Sequence, residues 1–133
     1  MQIATKIIIS LLCFICFSQL KAQESKDSFP ILHIENPSYN FGDIEQGKIV
    51  EHSFNIKNNG NLPLIISNVI TTCGCTAPEW PKEPIAPNNS TSIKIVFDSR
   101  GKAGIQNKVV TIISNAQIPQ SRIKIKANVI PKN

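Results

Sequence analysis

The chain has 133 residues, 41% of them hydrophobic, with 14 Lys and Arg against 9 Asp and Glu, a formal net charge of +5. So dispersed a charge offers neither the concentrated basic stripe with aromatic or helical readout that nucleic-acid binding needs nor the tight Lys/Arg cluster that draws a protein to anionic membranes. The length fits one domain whose core is large enough to stand without disulfides or metals.

The first segment reads as an export signal. Lys6 supplies a positive start, Ile7 to Phe17 is a nearly unbroken apolar run, and Ser18-Gln19-Leu20-Lys21-Ala22-Gln23 follows. Ile7 to Leu20 is 14 residues, short of the roughly 20 that a membrane-spanning helix needs. Leu20 and Ala22 suit the third and first positions before a signal-peptidase cut, so residues 1–22 are expected to leave. Cys13 and Cys16 follow Leu12 and Ile15 inside the apolar run rather than a small residue at its end, and neither reads as a lipid-attachment site. Cleavage leaves 111 residues with 12 basic and 9 acidic side chains, exported to the periplasm, the cell surface or the medium. Residues 23–29 are then expected to be a mobile polar leader, and 30–133 the folded domain.

Two-residue alternation, the signature of strands with one buried face, runs through that domain. Ile31 to Ile34 and Tyr39 to Phe41 are short strand candidates separated by Asn36-Pro37-Ser38. Val50, His52, Phe54 and Ile56 share one face of the next strand, which ends at the turn Asn58-Asn59-Gly60-Asn61. Leu62 to Ile70 is rich in Leu, Ile and Val and is expected to be buried on both faces in part. Thr71 to Pro87 reads as the Cys-Gly-Cys stretch and a Pro-containing loop. Ile93, Ile95 and Phe97 mark another strand, Gly101 to Gly104 a turn, Lys108 to Ser114 a β-branched run, and Ile123, Ile125, Ala127 and Val129 the last strand. Seven strands with turn signals between them and no helical periodicity predict an all-β, two-sheet sandwich with Greek-key connections. A small closed barrel is the competing all-β architecture.

Certain stretches go further than periodicity. Tyr39-Asn40-Phe41-Gly42-Asp43-Ile44 and Phe54-Asn55-Ile56-Lys57-Asn58-Asn59-Gly60 precede Thr71-Thr72-Cys73-Gly74-Cys75-Thr76. Pro84-Ile85-Ala86-Pro87 and Ser92-Ile93-Lys94-Ile95-Val96-Phe97-Asp98 follow. In that order, from about Pro37 to Val129, the chain resembles the bacterial domain-of-unknown-function 1573 family, with Asn88 standing where the family usually places Gly. The resemblance implies a single immunoglobulin-like sandwich similar to hydin-type and PapD-like folds, in an exported bacterial protein. It implies no established activity. Antibody domains join their sheets through widely separated cysteines around a central Trp; here Cys73 and Cys75 are two residues apart and Trp80 lies among prolines.

Cys73-Gly74-Cys75 is the chemically distinctive spot. Two extended residues span about 6.6–7.2 Å, whereas a disulfide tolerates Cα separations up to about 6.8 Å, so the bond needs a bend, which Gly74 eases. A disulfide that shapes the loop is the favoured reading; a redox pair and a Cu(I) site of two thiolates are the alternatives. No helix N-terminus is at hand to lower a thiol pKa, and no third ligand is close in sequence, although His52 could approach as a metal ligand. His33 completes no recognisable triad, and Glu79 and Glu83 flank Trp80-Pro81-Lys82 in a loop rather than a cleft. Asn88 to Thr91 formally holds two glycosylation acceptors, read here as turn chemistry. Trp80 is a candidate contact anchor or a cap on the sandwich end, and Arg122, Lys124 and Lys126 on one strand face are candidates for an acidic partner or a soluble outer face. The functional expectation is a non-enzymatic binding module of the cell envelope with an unidentified protein partner, no nucleic acid, no membrane span and no cofactor. The alternative is a redox or copper-handling accessory protein.

Overall fold

The computed structural model describes residues 28–133. The expected signal peptide and the leader up to residue 27 lie outside the described residues. Eight strands follow one another: β1 (Leu32–Ile34), β2 (Ser38–Glu45), β3 (Ile49–Asn58), β4 (Ile66–Thr71), β5 (Thr76–Glu79), β6 (Ser90–Asp98), β7 (Gly104–Ser114) and β8 (Gln120–Ile130). They form two four-stranded sheets, ordered β1-β3-β6-β5 and β2-β8-β7-β4. This is the two-sheet arrangement of an immunoglobulin-like sandwich, not a closed barrel.

β1 and β2 act as two halves of one strand that changes sheet. β1 pairs antiparallel with β3, and after Asn36-Pro37 the chain pairs parallel with β8 as β2. Pro37 has no N–H to leave unpaired at the switch, and its carbonyl accepts the Lys124 N–H at 2.8 Å. β2 is longer than its sequence signal. Phe41-Gly42-Asp43 makes a bulge: the register with β8 shifts between Asn40 and Asp43, and Gly42 sits at φ 71°.

The strand count from the sequence, seven, is corrected to eight by β5. Thr76–Glu79 was expected to belong to the Cys-Gly-Cys stretch and the Pro-containing loop after it, yet, with Pro78 inside it, it pairs with β6 as an edge strand. An edge position leaves one row of N–H groups unused, so proline is tolerated there. The segment from Leu62 to Ile70 is likewise corrected. Leu64, Ile66 and Val69 are buried, but Leu62, Ile65 and Ile70 are exposed, so only one face is covered.

Alternation sets the core. Phe54 and Ile56 from β3, Ile93, Ile95 and Phe97 from β6, Val110 and Ile112 from β7, and Ile123, Ile125, Ala127 and Val129 from β8 are all buried between the sheets. Each such large side chain contributes about 1.5–3 kcal/mol on burial. Leu64 and Ile85 join two connecting segments through paired backbone hydrogen bonds of 2.9 and 2.8 Å.

Asn58 and Gly60, read in the sequence as turn residues, have other reasons to be there. Asn58 is fully buried; its Nδ2 donates to Leu62 O (2.7 Å) and Ile85 O (2.9 Å), and its Oδ1 accepts from Gly60 N (2.9 Å) and Ile31 N (3.3 Å). A Cβ on Gly60 would lie 2.1 Å from Phe29 O, a backbone atom, so it is close approach, not a left-handed φ, that demands glycine. The start of the domain is held here too, because Phe29 O accepts the Asn61 N–H and Ser28 Oγ accepts from Asn61 Nδ2, both at 3.2 Å.

Candidate functional site

β4 belongs to one sheet and β5 to the other, so the chain must change layers between Thr71 and Thr76. Cys73-Gly74-Cys75 lies at that crossing. The two sulfurs are bonded to one another and the Cα atoms are 5.3 Å apart, clearly less than two extended residues would span. The Cys73 carbonyl accepts the Thr71 hydroxyl at 3.1 Å and the Thr76 N–H at 3.4 Å, and the Cys75 carbonyl accepts the Asp98 N–H at 2.9 Å. The bend is made without a left-handed backbone at Gly74, where an added Cβ would meet nothing within 4 Å. The bend that the sequence requires is present, held by the disulfide and these hydrogen bonds, and the glycine leaves the surface beside the disulfide open.

Thr76 was not singled out by its sequence. It is buried, and its hydroxyl lies 3.7 Å from Cys73 Sγ and 4.0 Å from Cys75 Sγ, with no other partner among the described residues. Cys75 packs against the hydrophobic core, while Cys73 is half-buried outside it. Only the edge pairing of β5, which turns Thr76 inward opposite Phe97, creates this contact.

His52 lies elsewhere, in an aromatic ladder that joins the two sheets. Its ring stacks on Tyr39 of β2 at 3.6 Å and meets Phe54 edge-on at 4.7 Å, and Tyr39 meets Phe41 at 4.9 Å. Among the described residues no three His, Cys, Asp or Glu side chains are grouped to hold a metal ion. Trp80 is half-buried against the core; Lys82 Nζ sits 3.1 Å from its ring centroid, and its buried indole N–H has no hydrogen-bond acceptor among the described residues.

Arg122, Lys124 and Lys126 line up on the outer face of the β2-β8-β7-β4 sheet, exposed and in alternating positions of β8. Across the strands, Arg122 stands beside Thr111 with Ile70 one strand beyond, Lys124 between Val109 and Ser38, and Lys126 between Asn107 and Asn40. Ile70 is 49% and Ile105 63% exposed on the same face. A shallow concavity of about 380 Å³ runs along Ser38, Asn40, Val109, Lys124 and Lys126. None of the three cations has a carboxylate partner among the described residues.

Ion pairing concentrates on the other sheet. Lys94 meets Glu79 at 2.9 Å and Glu51 at 4.0 Å, and Arg100 holds Asp98 through its side chain and backbone. The Glu79 hydrogen bond and charge raise the Lys94 pKa, and the hydrogen bonds from Arg100 lower that of Asp98. A further pair, Lys132 with Glu45 at 3.7 Å, closes the sheet end.

A family profile described as protein of unknown function (DUF1573) matches residues 32–129. The chain belongs to this family. Among solved structures, a protein of unknown function from Porphyromonas gingivalis W83 is 25% identical with a TM-score of 0.66 over 74% of the DUF1573 chain. The chain spans 46% of that protein, less than half its length. The PapD-like domain 7 of human CEP192 has the same TM-score at 14% identity, with 87% of this chain and 96% of that one covered. The Vibrio cholerae VesB protease follows at TM-score 0.58 and 15% identity, over 74% of this chain and 31% of the protease. At 14 and 15% identity the likeness is one of fold, and it makes the sandwich PapD-like. No protein of curated function matches the DUF1573 chain.

Proposed function

We propose that this DUF1573 chain is a non-enzymatic binding module of the bacterial cell envelope, exported and freed of residues 1–22, that holds an acidic protein partner on the outer face of the β2-β8-β7-β4 sheet. The observation that carries the reading is the column of Arg122, Lys124 and Lys126, unpaired within the described residues and flanked by exposed Ile70 and Ile105. Alternate residues of a strand stand about 6.6–6.8 Å apart on one face, so the column presents three regularly spaced cations to an opposing surface. Opposite charge steers the encounter and fixes the register, and the aliphatic neighbours add apolar area of the kind that marks protein contact sites.

A photo-crosslinking residue placed at Lys124, and separately at Glu51 on the opposite sheet, tests this in the native bacterium. Lys124 should give a protein adduct that is lost when Arg122 and Lys126 are both changed to Glu, and Glu51 should not give it. The adducted chain should have an intact mass that begins at Gln23. Adducts from Glu51 alone, or a chain that retains Met1 in the cytosol, would sink the proposal.

A further inference from the structure

The disulfide at the sheet crossing supports a second, independent role. We propose that Cys73–Cys75 is a thiol–disulfide exchange site that oxidises an incoming dithiol, with the buried Thr76 hydroxyl placed to stabilise the thiolate released inside the protein.

Thr76 is 4% exposed, and the polar atoms its hydroxyl meets are the two sulfurs, at 3.7 and 4.0 Å. Neutral sulfur is a weak acceptor, so this donor is poorly satisfied while the disulfide is closed. A thiolate at either position would accept a charge-assisted hydrogen bond, about twice as strong as a neutral one. The hydroxyl therefore stands beside both sulfurs, within reach of the one on which negative charge appears on reduction. The cross-link closes a sequence separation of only 2, and so small a loop gives the fold little in chain entropy. Cys73 is half-buried and lies outside the core packing, and Gly74 carries no side chain to screen it.

The exchange runs in two displacements. A thiolate of the incoming dithiol attacks Cys73 Sγ; the new S–S bond forms as the Cys73–Cys75 bond breaks, and the electron pair leaves on Cys75 Sγ beside Thr76. The second thiolate of the dithiol then attacks its own sulfur in the mixed disulfide and expels Cys73 as a thiolate. The dithiol loses two electrons and becomes a disulfide. The protein gains those electrons and takes up the dithiol's two protons as Cys73 and Cys75 become thiols.

The purified protein, equilibrated in glutathione redox buffers and then alkylated, reads the reduced fraction by intact mass. Thr76→Val keeps the shape and removes the hydroxyl; in buffers at about pH 9, where the released Cys75 is a thiolate, it should need a roughly tenfold more reducing glutathione ratio for half-reduction, whereas Thr76→Ser should stay near wild type. In Cys73→Ser, which leaves Cys75 alone with Thr76, the pH midpoint for iodoacetamide alkylation should fall below the ordinary thiol value of about 8.5. That variant keeps the test decisive even if Thr76→Val does not fold. A wild-type disulfide that stays closed in dithiothreitol overturns the proposal. So does a Thr76→Val protein matching wild type, or a Cys75 midpoint at or above the ordinary value.

Discussion

Thr76 and Asn58 are polar side chains placed inside an apolar domain, and their hydrogen bonds decide what each can do. Asn58 uses both ends of its amide to hold four backbone groups from three segments. Net hydrogen-bond contributions of about 0.5–1.5 kcal/mol each, with buried groups left unsatisfied on truncation, put the cost of Asn58→Ala at about 3 kcal/mol or more. Urea unfolding should show a lower midpoint at unchanged slope. Thr76, by contrast, meets only sulfur, so its hydroxyl contributes little to holding the closed disulfide. Neither residue could be picked from the sequence. Asn58 sits in a string of Asn and Gly that also reads as a turn, and Thr76 in a stretch whose strand pairing was hidden by Pro78. His52 shows the opposite case, in which inward alternation is legible and the aromatic neighbours that occupy its ring are not.

At the scale of elements, hydrophobic alternation located β3, β6, β7 and β8 because these central strands bury one face each. Edge strands carry weaker signals, since fewer of their side chains reach the core. β5 was missed, and β2 was cut short at Gly42, where a bulge mimics a turn. The register of the central strands has a direct test. Ile95→Asp should abolish the cooperative β-sheet circular dichroism transition, because it buries an unpaired charge in the apolar core that also holds Phe54 and Phe97. Lys124→Asp, on the outer face, should leave that transition within about 0.5 kcal/mol of wild type. The reverse pattern would mean a one-residue slip in β6 and β8.

For the whole molecule, the chain changes sheets five times, and two of those crossings stand out chemically: Pro37 between β1 and β2, and Cys73–Cys75 between β4 and β5. The second is cross-linked, yet its small loop limits the entropic stabilisation to about 1.6 kcal/mol. Replacing both cysteines by Ser should therefore lower the unfolding free energy by no more than about 2 kcal/mol, measured by urea denaturation of the folded protein. A much larger loss would make the bond a principal staple of the sandwich. The sequence by itself determined the all-β class, the faces of the central strands, the family, and the pair of cysteines as the place of chemical interest, because periodicity and spacing are local properties. Tertiary structure alone decided that β5 is an edge strand, that the cysteines stand where the chain changes sheets, and that Thr76 faces both sulfurs. It also decided that Arg122, Lys124 and Lys126 find no carboxylate across their sheet. Each of these depends on which distant strands lie side by side, and strand order is fixed by the global burial of apolar faces rather than by neighbours along the chain.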